Sequence, residues 1–259
     1  MHAKTLSPFY AIIIVLALVT LACGASAAPE PTPTNTPVPP TATETEAPTN
    51  TPKPTNTPKP TKTPNLAATQ QQEALDAEAK KYFDLGYLAS ADGRFIEYDD
   101  FKTDWAQLGW YNWWILDEKT SDFFMSAHFE WSTAWDYNDV SGCGFVFAIQ
   151  DNSDHYAVFL DKSRILFLNS DQSRGGSYEV GKTKGTGRVK FGNPAEADFT
   201  LIVKDKYAIV MVDGEMVGEY TLAANKAMNG NLGLTVLSGT NRDYGTRCEM
   251  TNLHIWLPK

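Results

Sequence analysis

The segment S-G-C-G-F-V-F-A-I-Q-D-N-S-D-H-Y-A-V-F-L-D, residues 141–161, holds two apolar runs on either side of a polar turn. In the first run, 144–149, Phe145, Phe147 and Ile149 share one face at period 2, with Val146 and Ala148 on the other. In the second, 156–160, Tyr156, Val158 and Leu160 alternate with Ala157 and Phe159. Short runs that are apolar on both faces read as strands buried in the middle of a sandwich. The turn between them, 150–155, is rich in Asp, Asn and Ser, which tolerate left-handed backbone and bond their own main chain. A central β-hairpin follows.

The flanking chain reads the same way. In 123–132, Phe123, Met125, Ala127, Phe129 and Trp131 point to one side, and Phe124, Ser126, His128, Glu130 and Ser132 to the other. That alternation is a half-buried antiparallel strand. Further strands are predicted over 164–168, 199–204, 207–212, 216–222, 231–238 and 248–257, with Asp213-Gly214 as a two-residue hairpin signal. Residues 95–116 mix aromatic and polar positions, and glycines at 175, 176, 181, 185 and 187 imply turns or a loose hairpin. The sum is an all-β fold, a two-sheet antiparallel jelly-roll sandwich over residues 87–259. One helix over 66–86, rich in Ala, Gln and Glu and followed by Gly86, precedes it.

The N-terminal quarter has a different character. Residues 29–64 hold 12 Pro and 12 Thr and no aromatic residue. Such a segment cannot bury enough apolar surface to offset its ordering entropy, so 23–65 reads as a disordered Pro/Thr-rich stalk. At about 3.1 Å per residue in polyproline geometry, its 36 Pro/Thr-rich positions reach about 110 Å. Its threonines are candidate acceptors for O-linked sugars. Residues 1–22 combine Lys4 with an apolar run, 9–21, that is short for a bilayer span and reads as a signal peptide. Ala22-Cys23 resembles a bacterial lipobox, in which Cys23 becomes a lipidated N-terminus; Thr20 and Leu21 depart from its usual residues. Cleavage near Ala25-Ser26-Ala27-Ala28, discarding Cys23, is the alternative. The expected location is therefore extracytoplasmic, held to the cell envelope through Cys23.

The segments 144–160, 199–217 and 232–238, with M-T-N-L-H-I at 250–255, resemble concanavalin A-like, laminin-G-like jelly rolls. They are most similar to the DUF1080 or 3-keto-disaccharide hydrolase group. The resemblance spans about 96–257 and implies a jelly roll with a carbohydrate-linked activity. Ala148 stands where that group often has Arg, which weakens any inherited polar site.

Direct searches for chemistry return little. There is no E-x-D-x-x-E carboxylate pattern, no G-x-S-x-G and no H-E-x-x-H. Residues 1–64 carry four Lys against three Glu, so the remainder carries −10 of the net −9. An acidic domain is a poor nucleic-acid partner. Cys143 and Cys248, two cysteines in an exported domain, favour a disulfide over two buried thiols. Trp110, Trp113, Trp114, Trp131, Trp135 and Tyr137 read as a cluster around two neighbouring strands. Sugar C–H faces stack on such rings while Asp and Asn take the hydroxyls. The candidate ligand-binding residues are Trp135, Asp136, Tyr137, Asn138 and Asp139, with His128 and Glu130 on one strand face. No cofactor is expected, although the turn from Asp151 to Asp154 is compatible with calcium. The expected function is a tethered, monomeric, non-catalytic module for carbohydrate or an extracellular protein. A glycoside hydrolase of the 3-keto-disaccharide type and a structural envelope protein are the alternatives.

Overall fold

The structure is a computed structural model that describes residues 66–135, 140–161, 164–181, 184–185 and 192–259, all within the unit Thr61–Lys259. The signal peptide, Cys23 and the stalk, and Asp136, Tyr137, Asn138 and Asp139, lie outside the described residues. Among the described residues no helix is long and apolar enough to cross a membrane.

The fold is the expected two-sheet antiparallel jelly-roll sandwich preceded by one helix. The first sheet holds β1 (Gly93–Glu97), β2 (Phe101–Trp105), β4 (Phe123–Thr133), β10 (Ala195–Lys204), β11 (Tyr207–Val212), β12 (Glu215–Thr221) and β14 (Thr246–Pro258). Its order is β1-β14-β4-β10-β11-β12, with β2 also on β14. The second holds β3 (Trp110–Thr120), β5 (Gly142–Ile149), β6 (His155–Asp161), β7 (Arg164–Asp171), β8 (Gly176–Glu179), β9 (Lys184–Gly185) and β13 (Gly230–Ser238). Its order is β3-β13-β5-β6-β7-β8, with β9 also on β7. The chain crosses between sheets repeatedly, so strands distant in sequence interleave. The predicted hairpin is β5–β6, every residue of both strands is buried, and both are internal to the second sheet. Asp213 and Gly214 join β11 to β12 with φ of 51° and 76°, as a primed turn requires.

The core between the sheets is aromatic: Phe129 stacks on Phe199 at 4.9 Å, and Phe147 stacks on Tyr156 at 5.2 Å. On β6 the expected alternation holds, with Tyr156, Val158 and Leu160 inward and Ala157 and Phe159 outward. On β5 it fails after Phe147. Ala148 faces the core and Ile149 the outer surface, the reverse of strict alternation. The cause is a β-bulge: Ala148 has φ 52°, and the β13–β5 register slips between Asn231 and Gly233. A second bulge on β14, with Asn252 at φ 53°, slips the register between Thr251 and His254. It leaves Leu253, Ile255 and Leu257 in the core and sends His254 outward.

Helix α1 (Leu66–Asp84) packs on the outer face of the first sheet, burying Ala79 and Tyr82 against Phe124, Ile202, Ile209, Met211 and Trp256. The helix ends as its Gly86 signal predicts. Gly86 has φ 79° and donates to Phe83 O at 2.8 Å, while Tyr87 N reaches back to Tyr82 O at 2.9 Å.

Cys143 of β5 and Cys248 of β14 form the expected disulfide, with Cα atoms 5.7 Å apart, joining the sheets through the core.

Candidate functional site

The turn at the tip of the β5–β6 hairpin is built by its own side chains. Gln150 N donates to Asp154 O, and Ser153 N donates to Gln150 O with Ser153 at φ 67°. Asn152 Oδ1 accepts from Asp154 N, and Asp154 Oδ1 accepts from Gln172 N at 2.8 Å. The second bond ties the turn to the short 3-10 turn Gln172–Arg174 after β7. The β12–β13 connection closes the third side. Together they surround a polar cleft of about 460 Å³, with Gln150, Asp154, Asn169, Asp171, Tyr178 and Lys226 among its lining residues.

Lys226 organises the floor. Its ammonium lies 4.4 Å over the Tyr156 ring and donates to His155 O at 2.7 Å, to Ser170 O at 2.6 Å and to Asn169 Oδ1. Burial lowers its pKa to about 8, against the opposing pull of Asp154 and Asp171. Asn169 donates in turn to Tyr178 Oη at 2.7 Å. Asp171 accepts from the hydroxyl and backbone N–H of Ser173, which hold its carboxyl below the usual range.

Beside the cleft lies the outer face of the second sheet. Tyr111, on one edge strand, brings its hydroxyl within 3.4 Å of Ser177 on the opposite edge strand. Five strand spacings in a flat sheet would separate these edges by about 24 Å, so the sheet is curled and this face is concave. Its floor carries Phe159, with Tyr111 edge-on at 5.3 Å and Trp113 against His155 at 4.8 Å. His155 Nδ1 donates to Ser153 O at 2.7 Å, so Nε2 accepts the Tyr111 hydroxyl, also at 2.7 Å. That neutral tautomer agrees with the lowered pKa of His155, caused first by burial. Through its ring and its carbonyl, His155 joins the aromatic face to the Lys226 floor.

Of the residues singled out from sequence, the described ones, Trp135, His128 and Glu130, fall elsewhere. His128 and Glu130 lie on the outer face of the first sheet; His128 Nδ1 is 2.8 Å from Asp198 Oδ1 and lines a groove of about 520 Å³ beside α1. Trp135 follows β4, and the Arg242 guanidinium lies 3.1 Å over its ring. It precedes β5 whereas the cleft follows it; eight strand residues at about 3.3 Å each put the two places roughly 25 Å apart. The tryptophan cluster does not form as expected, because β3 and β4 belong to opposite sheets. Trp131 is core, Trp114 packs against the core, Trp113 faces the concave side and Trp110 is exposed. Among the described residues no group of three or more His, Cys, Asp or Glu is placed to hold a metal ion. Lys226, Asn169, Asp171 and Tyr178 come from separate segments without a shared motif; the Asp-rich turn at 151–154 was the one visible sign of this cleft.

No family model matches the chain, and no curated protein matches it. Among solved structures, the carbohydrate-binding module CBM66 from Bacillus subtilis aligns with a TM-score of 0.44 at 11% identity, over 61% of this chain and 92% of that one. A fructosyltransferase from A. japonicus aligns with a TM-score of 0.44 at 14% identity, over 64% of this chain and 26% of that one. This chain thus spans about a quarter of that enzyme. The β-glucanase of Bacillus licheniformis aligns with a TM-score of 0.40 at 9% identity, over 55% of this chain and 69% of that one.

Proposed function

We propose that the protein is a non-catalytic carbohydrate-binding module, tethered to the cell envelope through a lipidated Cys23 and the Pro/Thr-rich stalk. The observation that carries the reading is the cleft at the hairpin tip. Its volume, about 460 Å³, lies in the usual range of small-ligand sites, and amide, carboxylate and phenol groups converge on it beside an aromatic concave face. Sugars need that pairing of polar edges with ring faces. The carboxylates speak for binding over hydrolysis. Asp154 and Asp171 hold main-chain N–H groups, and Asp171 is depressed, the opposite of what a general acid requires.

A glycan array probed with the full chain, followed by an assay for released sugar, tests the reading. Binding without release is expected. Released sugar would establish the hydrolase alternative, and silence on both arms the envelope-structure one. The anchor has its own test. Cys23→Ser is expected to move the protein from the membrane fraction to the soluble one; an unchanged distribution excludes lipidation at that residue.

A further inference from the structure

We propose that the hairpin-tip cleft selects glycans rich in hydrogen-bond donors, neutral or amino sugars, and discriminates against uronates and sulfated sugars. The proposal deepens the carbohydrate reading and rests on it.

An ammonium has three hydrogens, and those of Lys226 go to His155 O, Ser170 O and Asn169 Oδ1. The one cation among the described lining residues therefore has no donor left for a ligand. Gln150 uses its Nε2 group on Ala148 O at 3.1 Å and Asn229 O at 3.2 Å, which leaves Oε1 as an acceptor. Tyr178 Oη accepts from Asn169 Nδ2 at 2.7 Å and from Arg174 Nη1 at 3.3 Å. Its own hydrogen is thus directed away from both. Arg174, outside the lining, is engaged by Asp171 at 3.5 Å and by the Tyr178 hydroxyl and ring. What remains toward a ligand is one phenolic donor, neutral amides, and the acceptor oxygens of Gln150 and of three carboxylates, Asp151, Asp154 and Asp171.

Such a surface satisfies hydroxyl and ammonium groups. Its lining residues offer no bidentate or charged donor of the sort that recognises carboxylate or sulfate, and the neighbouring Arg174 is turned toward Asp171 and Tyr178. Three carboxylates against the Lys226 ammonium and the Arg174 guanidinium leave a net negative charge that opposes an incoming anion, by an amount that salt screening reduces.

The test uses the full chain on an array carrying neutral, amino, uronic and sulfated glycans, at low and at high salt. Amino and neutral glycans are expected to bind at least about tenfold more tightly than uronates of equal length, a difference of about 1.4 kcal/mol, and the gap is expected to narrow at high salt. Asp151→Asn, an exposed turn position, is expected to narrow it at low salt too. Tyr178→Phe is expected to weaken neutral-glycan binding several-fold while its own thermal midpoint stays well above the assay temperature, marking the loss as one of contact. Uronates or sulfated glycans ranking first would overturn the selectivity and leave carbohydrate binding standing. A ranking that neither variant changes would remove the cleft as the site. Silence across the array would overturn the carbohydrate reading itself, and the selectivity with it.

Discussion

Lys226 shows how much one side chain can hold at an open end of a sandwich. Its three acceptors come from β6 and β7, and its ammonium lies over the face of Tyr156, whose hydroxyl in turn accepts from Ala223 N at 3.0 Å. Lys226→Met keeps the stem and removes the ammonium, leaving two carbonyls and a carboxamide short of a donor. At about 1 kcal/mol or more for each poorly compensated group, the expected loss is about 2–3 kcal/mol, read as a lower denaturant midpoint at unchanged slope. Trp135→Ala is expected to act differently. It removes the ring beneath Arg242 at the far end of β5, so glycan affinity at the cleft should be unchanged. Lost affinity would place the ligand near residues 135–139 instead.

At the scale of elements, α1 is fastened to the sandwich by a histidine whose charge geometry dictates. His254 Nδ1 is 3.0 Å from Asn252 O, and Nε2 is 3.1 Å from Glu78 Oε2. Both partners only accept, so both ring nitrogens carry hydrogen and the ring is an imidazolium. Burial works against that charge, but Glu78, the Asn252 carbonyl and Glu97 outweigh it, and the pKa is raised above 6.5. A folded-state pKa above the unfolded one stabilises fully below the unfolded value, near 6.5, and the benefit is lost as pH rises through the raised value. Thermal unfolding should therefore show the α1–sheet contact weakening as pH rises above 6.5. His254→Gln should flatten that dependence, and a wild-type profile flat across the same window would dismiss the latch. The same element scale shows what periodicity conveys. The strands β4 to β7 and β10 to β14, the central hairpin, the Asp213-Gly214 turn and the Gly86 helix end were legible, because each depends on residues close in sequence; β1 to β3, β8 and β9, whose sequences mix aromatic, polar and glycine positions, were not. The outward turn of Ile149 and His254 was not, because a bulge is a slip between two strands, and β5 and β13 are some eighty residues apart. The site was less legible still. Lys226, Asn169 and Tyr178 meet only because the β12–β13 connection returns beside β7 and β8, a fact of topology that local pattern does not contain.

For the whole molecule, the disulfide is the covalent constraint among the described residues, with Cys143 and Cys248 separated by 105 in sequence. In the chain-entropy model a loop of that size stabilises by up to about 5 kcal/mol. Reduction, or paired Ser substitutions, should lower the thermal midpoint by up to about 10–20 degrees at the usual sensitivity of a domain this size. Free, alkylatable thiols at both positions in the protein from its native host would refute the bridge. The pairing was legible from two cysteines in a domain read as exported. Which layers it joins was not, since β5 and β14 could be assigned to opposite sheets only from the sheet order.

That placement also sets how the domain carries mechanical load. A pull on the N-terminal side enters through α1, which is held by side-chain contacts and the Glu78–His254 pair, and then through β1 into β14. From β14 the force reaches β5, and the hairpin whose tip forms the cleft, through a covalent bond rather than through packing alone. If the chain is anchored and binds as proposed, tension between the N-terminus and the cleft would peel the helix and β1 first. Separating the two sheets along this line would require breaking the Cys143–Cys248 bond itself.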